Sequence, residues 1–176
     1  MSAPVPATHP PRLIGHLTAV LRSADGAEVA RREAWNTVLQ SGAELVAGLL
    51  TGQGAGAIDG AAVGLNGTPS SPPYALTGLA TNSGDEALTG PTVVAITPEA
   101  FTVETQLDRL RVRVGVKVVL PAGTATGTIR EAALGRRSAE GDTLSTLYNR
   151  VILEPVDKAP EHELTLYWDV FLPYGT

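Results

Sequence analysis

Residues 107–120 read LDRLRVRVGVKVVL. Leu110, Val112, Val114, Val116 and Val118 share one parity, and Arg109, Arg111, Arg113 and Lys117 the other. A period of two, apolar on one side and cationic on the other, predicts a strand with one face on a core and one face wet. Pro121-Ala122-Gly123 ends it. Further strands are expected on either side. Residues 92–97 and 100–106 flank a break at Pro98, and residues 128–134 follow the central strand. A polar loop at 136–143 leads to residues 144–154 and 163–172, expected to pair around the turn PVDKAPEHE. In the last strand Leu164, Leu166, Trp168, Val170 and Leu172 alternate with Thr165, Tyr167, Asp169 and Phe171.

The N-terminal half adds a hairpin and a helix. Residues 12–22, RLIGHLTAVLR, predict a strand with both faces partly covered. Asp25-Gly26 is a hairpin turn signal, and residues 27–35 return from it. Thr37-x-x-Gln40 matches a capping box, with Asn36 as another candidate cap. Leu39, Ala43, Val46, Leu49 and Leu50 then recur at helical spacing, and Gly52 stands where a C-terminal cap is expected. The helix is predicted over residues 38–51. Residues 52–90 are loop-rich around one short apolar stretch, 61–65. Loops this long are usually functional or interfacial. Residues 1–12 hold Pro4, Pro6, Pro10 and Pro11 and little to bury. They read as an extended arm, disordered alone or ordered by a neighbour. The expected fold is mainly β. It is an antiparallel, sandwich-like domain over residues 13–176, built of two sheets or one strongly curved sheet with a single helix against it.

Composition removes several classes. Hydrophobic residues make up 43% and charged residues 18% of 176 residues, too apolar for a disordered chain. No run approaches the eighteen or so apolar residues of a membrane helix, and MSAPVPATHPPR lacks the basic start and apolar centre of a secretory signal. Cysteine is absent, which removes disulfides, thiol catalysis and thiolate-bound metals. A net charge of −5 without any basic run argues against nucleic-acid binding. Nineteen glycines and thirteen prolines exceed their usual joint share of about 12%, which fits a turn-rich β protein.

Catalytic signatures are few. The chain has no Gly-x-Ser-x-Gly elbow and no phosphate-binding P-loop. Gly52, Gly54 and Gly56 lack the third glycine of a dinucleotide loop and follow a helix. His9, His16 and His162 lack zinc spacing. Asp85/Glu86 and Glu161/Glu163 lie in polar loop sequence and read as solvated charges. No catalytic, cofactor-binding or metal-binding residue is assigned, and no cofactor is expected. Glu131 and Arg150 stand out because each lies inside a run that reads as a strand. Charge in packed β structure is costly unless paired, so the two are expected to pair or to satisfy backbone groups at a bend. Trp35 and Trp168 are expected as core anchors.

The C-terminal third resembles a recurrent module of tailed-bacteriophage virion proteins. Those proteins carry an acidic REAGL-type strand, an aromatic-x-Arg-Val strand, a P-x-x-K turn and a closing strand of the type E-L-T-V-x-W. The counterparts here are Arg130-Glu131-Ala132-Ala133-Leu134, Tyr148-Asn149-Arg150-Val151, Pro155-Val156-Asp157-Lys158 and Glu163-Leu164-Thr165-Leu166-Tyr167-Trp168. Ala133 replaces the glycine of the signature. More weakly, Asn36-Thr37-Val38 and Ala62-Val63-Gly64-Leu65-Asn66-Gly67-Thr68-Pro69 resemble the opening of the same proteins.

The resemblance covers roughly residues 35–173 and implies a non-enzymatic structural protein located on the virion. It implies a tail-fibre-like or appendage component working by subunit assembly, with a homo-oligomer, a trimer by preference, as its state. Partners would be other virion proteins, met through the arm and loops, and neither nucleic acid nor membrane. The apolar second faces Tyr148/Ile152 and Tyr167/Phe171 suggest a covered subunit interface. The alternatives are a capsid decoration protein or a β-sandwich that binds a host surface glycan on Tyr74, Tyr148 and Trp168.

Overall fold

The computed structural model describes residues 13–53 and 56–175; the arm expected at residues 1–12 lies outside the described residues. Strand β1 (Ile14–Arg22) turns at Asp25-Gly26 into β2 (Glu28–Val38). Gly26 takes φ +85° there, and its N–H donates to the Ser23 carbonyl. The helix α1 (Gln40–Thr51) follows, then β3 (Gly60–Gly64) and the two-residue strands β4 (Asn82–Ser83) and β5 (Glu86–Ala87). The second half consists of β6 (Val93–Ala95), β7 (Phe101–Gln106), β8 (Arg111–Leu120), β9 (Gly127–Arg137), β10 (Leu144–Leu147), β11 (Asn149–Lys158) and β12 (Glu163–Pro173).

Apart from the β4–β5 pair, the strands form one antiparallel sheet, ordered β6-β3-β9-β11-β2-β1-β12-β8-β7, with β10 continuing alongside β9. The sheet curls into a half-barrel. Strand β2 is the hinge of the curl. It pairs with β1 along most of its length and with β11 only at Thr37 and Val38. The two limbs therefore face each other across one core.

The register of the first limb explains that core. Leu17, Trp168 and Val116 form one row across β1, β12 and β8. Ala19, Leu166 and Val118 form the next, and Leu21, Leu164 and Leu120 the third. All nine side chains are buried, Trp168 with no exposed surface. Facing them from the other limb are Ala61 and Val63 of β3, Ile129 and Leu134 of β9, and Val151, Leu153 and Val156 of β11. The alternation predicted for β8 and β12 thus carries the core.

Several expectations are corrected. The runs 144–154 and 163–172 do not pair with each other. The second portion of the first run, β11, joins β9 and β2, while β12 joins β1 and β8. Both have an apolar inner face, and the faces meet across the core instead of edge to edge. Pro155 sits inside β11 at a register shift against β9, a place where proline is tolerated. Strand β11 continues to Lys158, so the turn is confined to residues 159–162.

The run 107–120 is also divided. Residues Leu107–Arg109 form a 3-10 turn, and Leu110 closes the β7–β8 hairpin at φ +46°. The hairpin carries no glycine, so the sequence does not announce it.

The helix begins two residues later than predicted because pairing with β11 keeps Thr37 and Val38 in β2. Neither Thr37 nor Asn36 caps it. Leu39 is the N-cap, and no side chain caps the end. Its buried face is Gly42 and Leu45, whereas Leu49 is half exposed and Leu50 almost fully exposed. Gly42 decides this orientation. A Cβ there would lie 2.0 Å from the Tyr148 carbonyl oxygen, so only glycine lets the helix settle onto the β10–β11 junction. Ser41 Oγ donates to the Leu147 carbonyl at 2.6 Å on the same contact. Gly52 ends the helix in the left-handed conformation, φ +68°, as its position predicts.

Candidate functional site

Glu131 and Arg150 meet between β9 and β11, near where β11 leaves β2. Arg150 Nε donates to Glu131 Oε2 at 2.7 Å, with the two side chains 4% and 1% exposed. Every nitrogen of the guanidinium and both oxygens of the carboxylate have a partner within the chain. Glu131 Oε1 accepts the N–H groups of Asn66 at 3.2 Å and Ala80 at 3.0 Å. Arg150 Nη1 and Nη2 donate to the carbonyls of Thr68 at 3.0 Å and Asn66 at 2.7 Å. A buried charge pair is tolerated when further hydrogen bonds support it, and here backbone supplies four. The pair ties the long 65–80 excursion to the sheet. Gly64 makes room for it, since a Cβ there would crowd the Glu131 carboxylate and the Ala80 carbonyl.

A second buried charge escaped the sequence reading. Lys158 is 1% exposed, and its Nζ donates to the Pro121 carbonyl at 2.9 Å, fastening the β8–β9 connection. Burial lowers its pKa, and Glu163 partly offsets that. Its place at the end of an alternating strand was the available signal. Asn149, also buried, accepts the Leu134 N–H at 2.9 Å through Oδ1.

Trp168 lies in the core. Trp35 does not, and this corrects its expected role as an anchor: it is 63% exposed on the outer face of the sheet. In β2, Ala30, Ala34 and Val38 are the residues that pack on the core, which turns Arg31, Glu33, Trp35 and Thr37 outward. The indole meets the His16 ring edge-on, with centroids 5.0 Å apart. Pro69, Pro73, Ile152 and Thr37 line a groove of about 230 Å³ on its other side.

Part of the outer face is covered from within the chain, while Ile14, Val29 and Tyr167 stay exposed, as does Val103 of β7. The Arg111 guanidinium lies 3.8 Å from the centre of the Phe171 ring, leaving Phe171 7% exposed. Arg113 bridges Asp169 and Glu104, with Nε 2.7 Å from Asp169 Oδ1 and Nη1 3.2 Å from Glu104 Oε2. Tyr148 is buried, with its hydroxyl pKa raised by that burial. Of the three aromatics considered as glycan platforms, Tyr74 is exposed, while Tyr148 and Trp168 are not.

The loop carboxylates are separated. Glu86 pairs with Arg130 at 2.6 Å, and that guanidinium lowers its pKa. Glu161 lies 4.0 Å from His162, whose Nδ1 accepts the Ala159 N–H. Asn66 Oδ1 accepts the Thr68 N–H at 2.9 Å, so the Asn-Gly-Thr stretch is a turn. Among the described residues no three His, Asp or Glu side chains converge as metal ligands. His9 and Gly54 lie outside the described residues. Among the described residues no helix is long and apolar enough to cross a membrane.

No protein-family model, curated protein or solved structure matches the chain.

Proposed function

We propose that the chain is a non-enzymatic structural component of a tailed-phage particle, of the tail-fibre-like or appendage kind, acting through subunit assembly. The observation that supports this is what the residues of the phage-like motifs do. Glu131 and Arg150 are consumed by each other and by backbone. Lys158 is consumed by Pro121, and Trp168 is sealed in the core. The motif thus describes a folding framework that fixes long loops on a rigid half-barrel, which suits a protein whose work is contact with neighbours. Ile14, Trp35, Val103, Leu107 and Leu110 leave apolar surface outside that framework, the kind of surface a subunit interface covers.

On this reading the protein resides on the virion, forms a homo-oligomer with a trimer favoured, and contacts other virion proteins. A capsid decoration role rests on the same observations and differs in where the oligomer docks. The test has two arms. Mass spectrometry of purified particles from the phage or lysogen that encodes the chain is expected to find it at many copies per particle. Light scattering is expected to give about three times the 18.2 kDa chain mass. Absence from purified particles would overturn the virion reading, and a monomer would overturn self-assembly.

A further inference from the structure

We infer that the pocket between α1 and the β9–β10 pair binds a carboxylate-bearing sugar, held through Arg136. The inference does not depend on the virion reading. Arg136 continues the parity of Ala132 and Leu134, which face the core, but it stands near the end of β9, where its side chain lines a pocket against α1. Arg113, Arg130 and Arg150 each hold a carboxylate. Arg136 holds none among the described residues, and its Nε is shut off from solvent without a partner. A cation that water only partly reaches calls for an anion, and a guanidinium takes a carboxylate through two parallel hydrogen bonds. The pocket has a volume of about 350 Å³, within the ~300–1,000 Å³ of small-molecule sites. Leu45 and Leu147, both buried, give it apolar surface as well.

The rest of the lining sets the class of anion. Glu44 of α1 is the one carboxylate in it, and it takes the Gln40 amide at 3.0 Å rather than the guanidinium. One cation beside one carboxylate suits a monoanion and disfavours a phosphate dianion. Ser41 Oγ donates to the Leu147 carbonyl at 2.6 Å, and Ser145 Oγ to the Arg136 and Arg137 carbonyls at 3.3 and 3.2 Å. Their protons are committed, so both hydroxyls meet a ligand as acceptors, as Glu44 does. A bulge on β10 gathers this set: Leu144 pairs with Arg137 and Thr146 with Arg136, which makes Ser145 the extra residue and brings the Thr146 hydroxyl into the lining. The complementary ligand carries one carboxylate and several hydroxyl donors, the chemistry of a sugar acid. An α-amino acid concentrates its donors on one ammonium, whereas the acceptors here are spread over α1 and β10. No aromatic side chain lines the pocket, so hydrogen bonds and the carboxylate contact carry the binding.

Amide NMR titration of the full chain tests this. D-Glucuronate and N-acetylneuraminate are the probes, with D-glucose, L-glutamate and inorganic phosphate as controls. At least one of the two acids is expected to shift the Gly48, Ser145 and Thr146 amides in a saturable manner, with a Kd on the order of 1 mM or tighter. The controls are expected to leave those amides in place. The methyl glycoside of the acid that binds separates two sources of the same chemistry: binding retained assigns the end of a glycan chain, and binding lost assigns the free sugar acid. Arg136→Gln is expected to weaken binding by about tenfold or more, and Arg136→Lys, which keeps the charge without the planar fork, by several-fold. Thr146→Val is expected to weaken it as well, which gives a second variant that leaves the guanidinium in place. No saturable shift at these amides in the native chain with either acid would overturn the inference. So would equal shifts with glucose, glutamate or phosphate, or unchanged binding in a folded Arg136→Gln chain.

Discussion

The Glu131 carboxylate holds Arg150 Nε at 2.7 Å while its second oxygen takes two backbone N–H groups from loops 51 and 65 residues away in sequence. The pair works as a clasp on loops more than as a source of Coulomb energy. Removing one partner leaves a buried charge and freed backbone groups, a loss of about 3–5 kcal/mol by analogy with other buried pairs. Glu131→Gln and Arg150→Met are each expected to fall in that range by urea denaturation. The double variant Glu131→Leu/Arg150→Met is expected to recover only part of it, because the Asn66 and Ala80 N–H groups and the Asn66 and Thr68 carbonyls stay unpaired. Full recovery would mean the loops hold without the clasp.

Gly42 supplies a second expectation. Alanine is ordinarily worth about 1 kcal/mol more than glycine inside a helix. Here the added Cβ would lie 2.0 Å from a backbone oxygen of Tyr148, which cannot yield without moving the β10–β11 junction. Overpacking of this kind costs about 1–3 kcal/mol. Gly42→Ala is expected to lower thermal stability, and Gly42→Ser to lower it further. A rise in melting temperature with alanine would show that α1 can lift from the sheet at no cost.

The parts of the fold legible in the sequence are those where one physical preference acts alone. The β8 and β12 alternation, the Asp25-Gly26 turn and the Gly52 cap belong there. The Glu131 and Arg150 pairing was also legible, because lone charges in apolar strands need partners. The rest depended on competition between preferences. Trp35 is large and apolar, yet Ala30, Ala34 and Val38 claim the inner side of β2 because the core opposite is already filled by long side chains. The leucines at 49 and 50 promised a helix face that the contact at Gly42 overrides. Lys158 was hidden because its stem fills space like an apolar residue while its ammonium finds one carbonyl. The partition of strands 144–154 and 163–172 between two limbs is non-local, and no local pattern encodes it.

The β7–β8 hairpin predicts an unusual gain. Leu110 occupies φ +46°, a region that costs an L-residue roughly 1–2 kcal/mol. Glycine removes that cost but adds about 0.5–1 kcal/mol of unfolded-state entropy. Leu110→Gly is therefore expected to stabilise by up to about 1 kcal/mol, since the side chain is 47% exposed and has little burial to lose. The β-branched Leu110→Ile is expected to destabilise, being the poorest fit to positive φ. Paired melting curves check this, and destabilisation by glycine would locate the energy in the side chain's contacts.

Lys158 ties stability to pH with a definite sign. Burial lowers its folded pKa beneath the unfolded value of about 10.5. Between those two pH values the unfolded chain binds more protons than the folded chain, so this group makes stability rise with pH. Its penalty is complete at neutral pH, where both states are charged, and fades as pH climbs through the folded pKa toward 10.5. Lys158→Met removes the titration while leaving the other groups in place. The stability of the native chain relative to Lys158→Met is accordingly expected to increase from pH 7 to pH 10, measured by urea denaturation at intervals across the range. A difference that stays flat, or falls, would mean that the ammonium is as well solvated by the Pro121 carbonyl and Glu163 as it is in the unfolded chain.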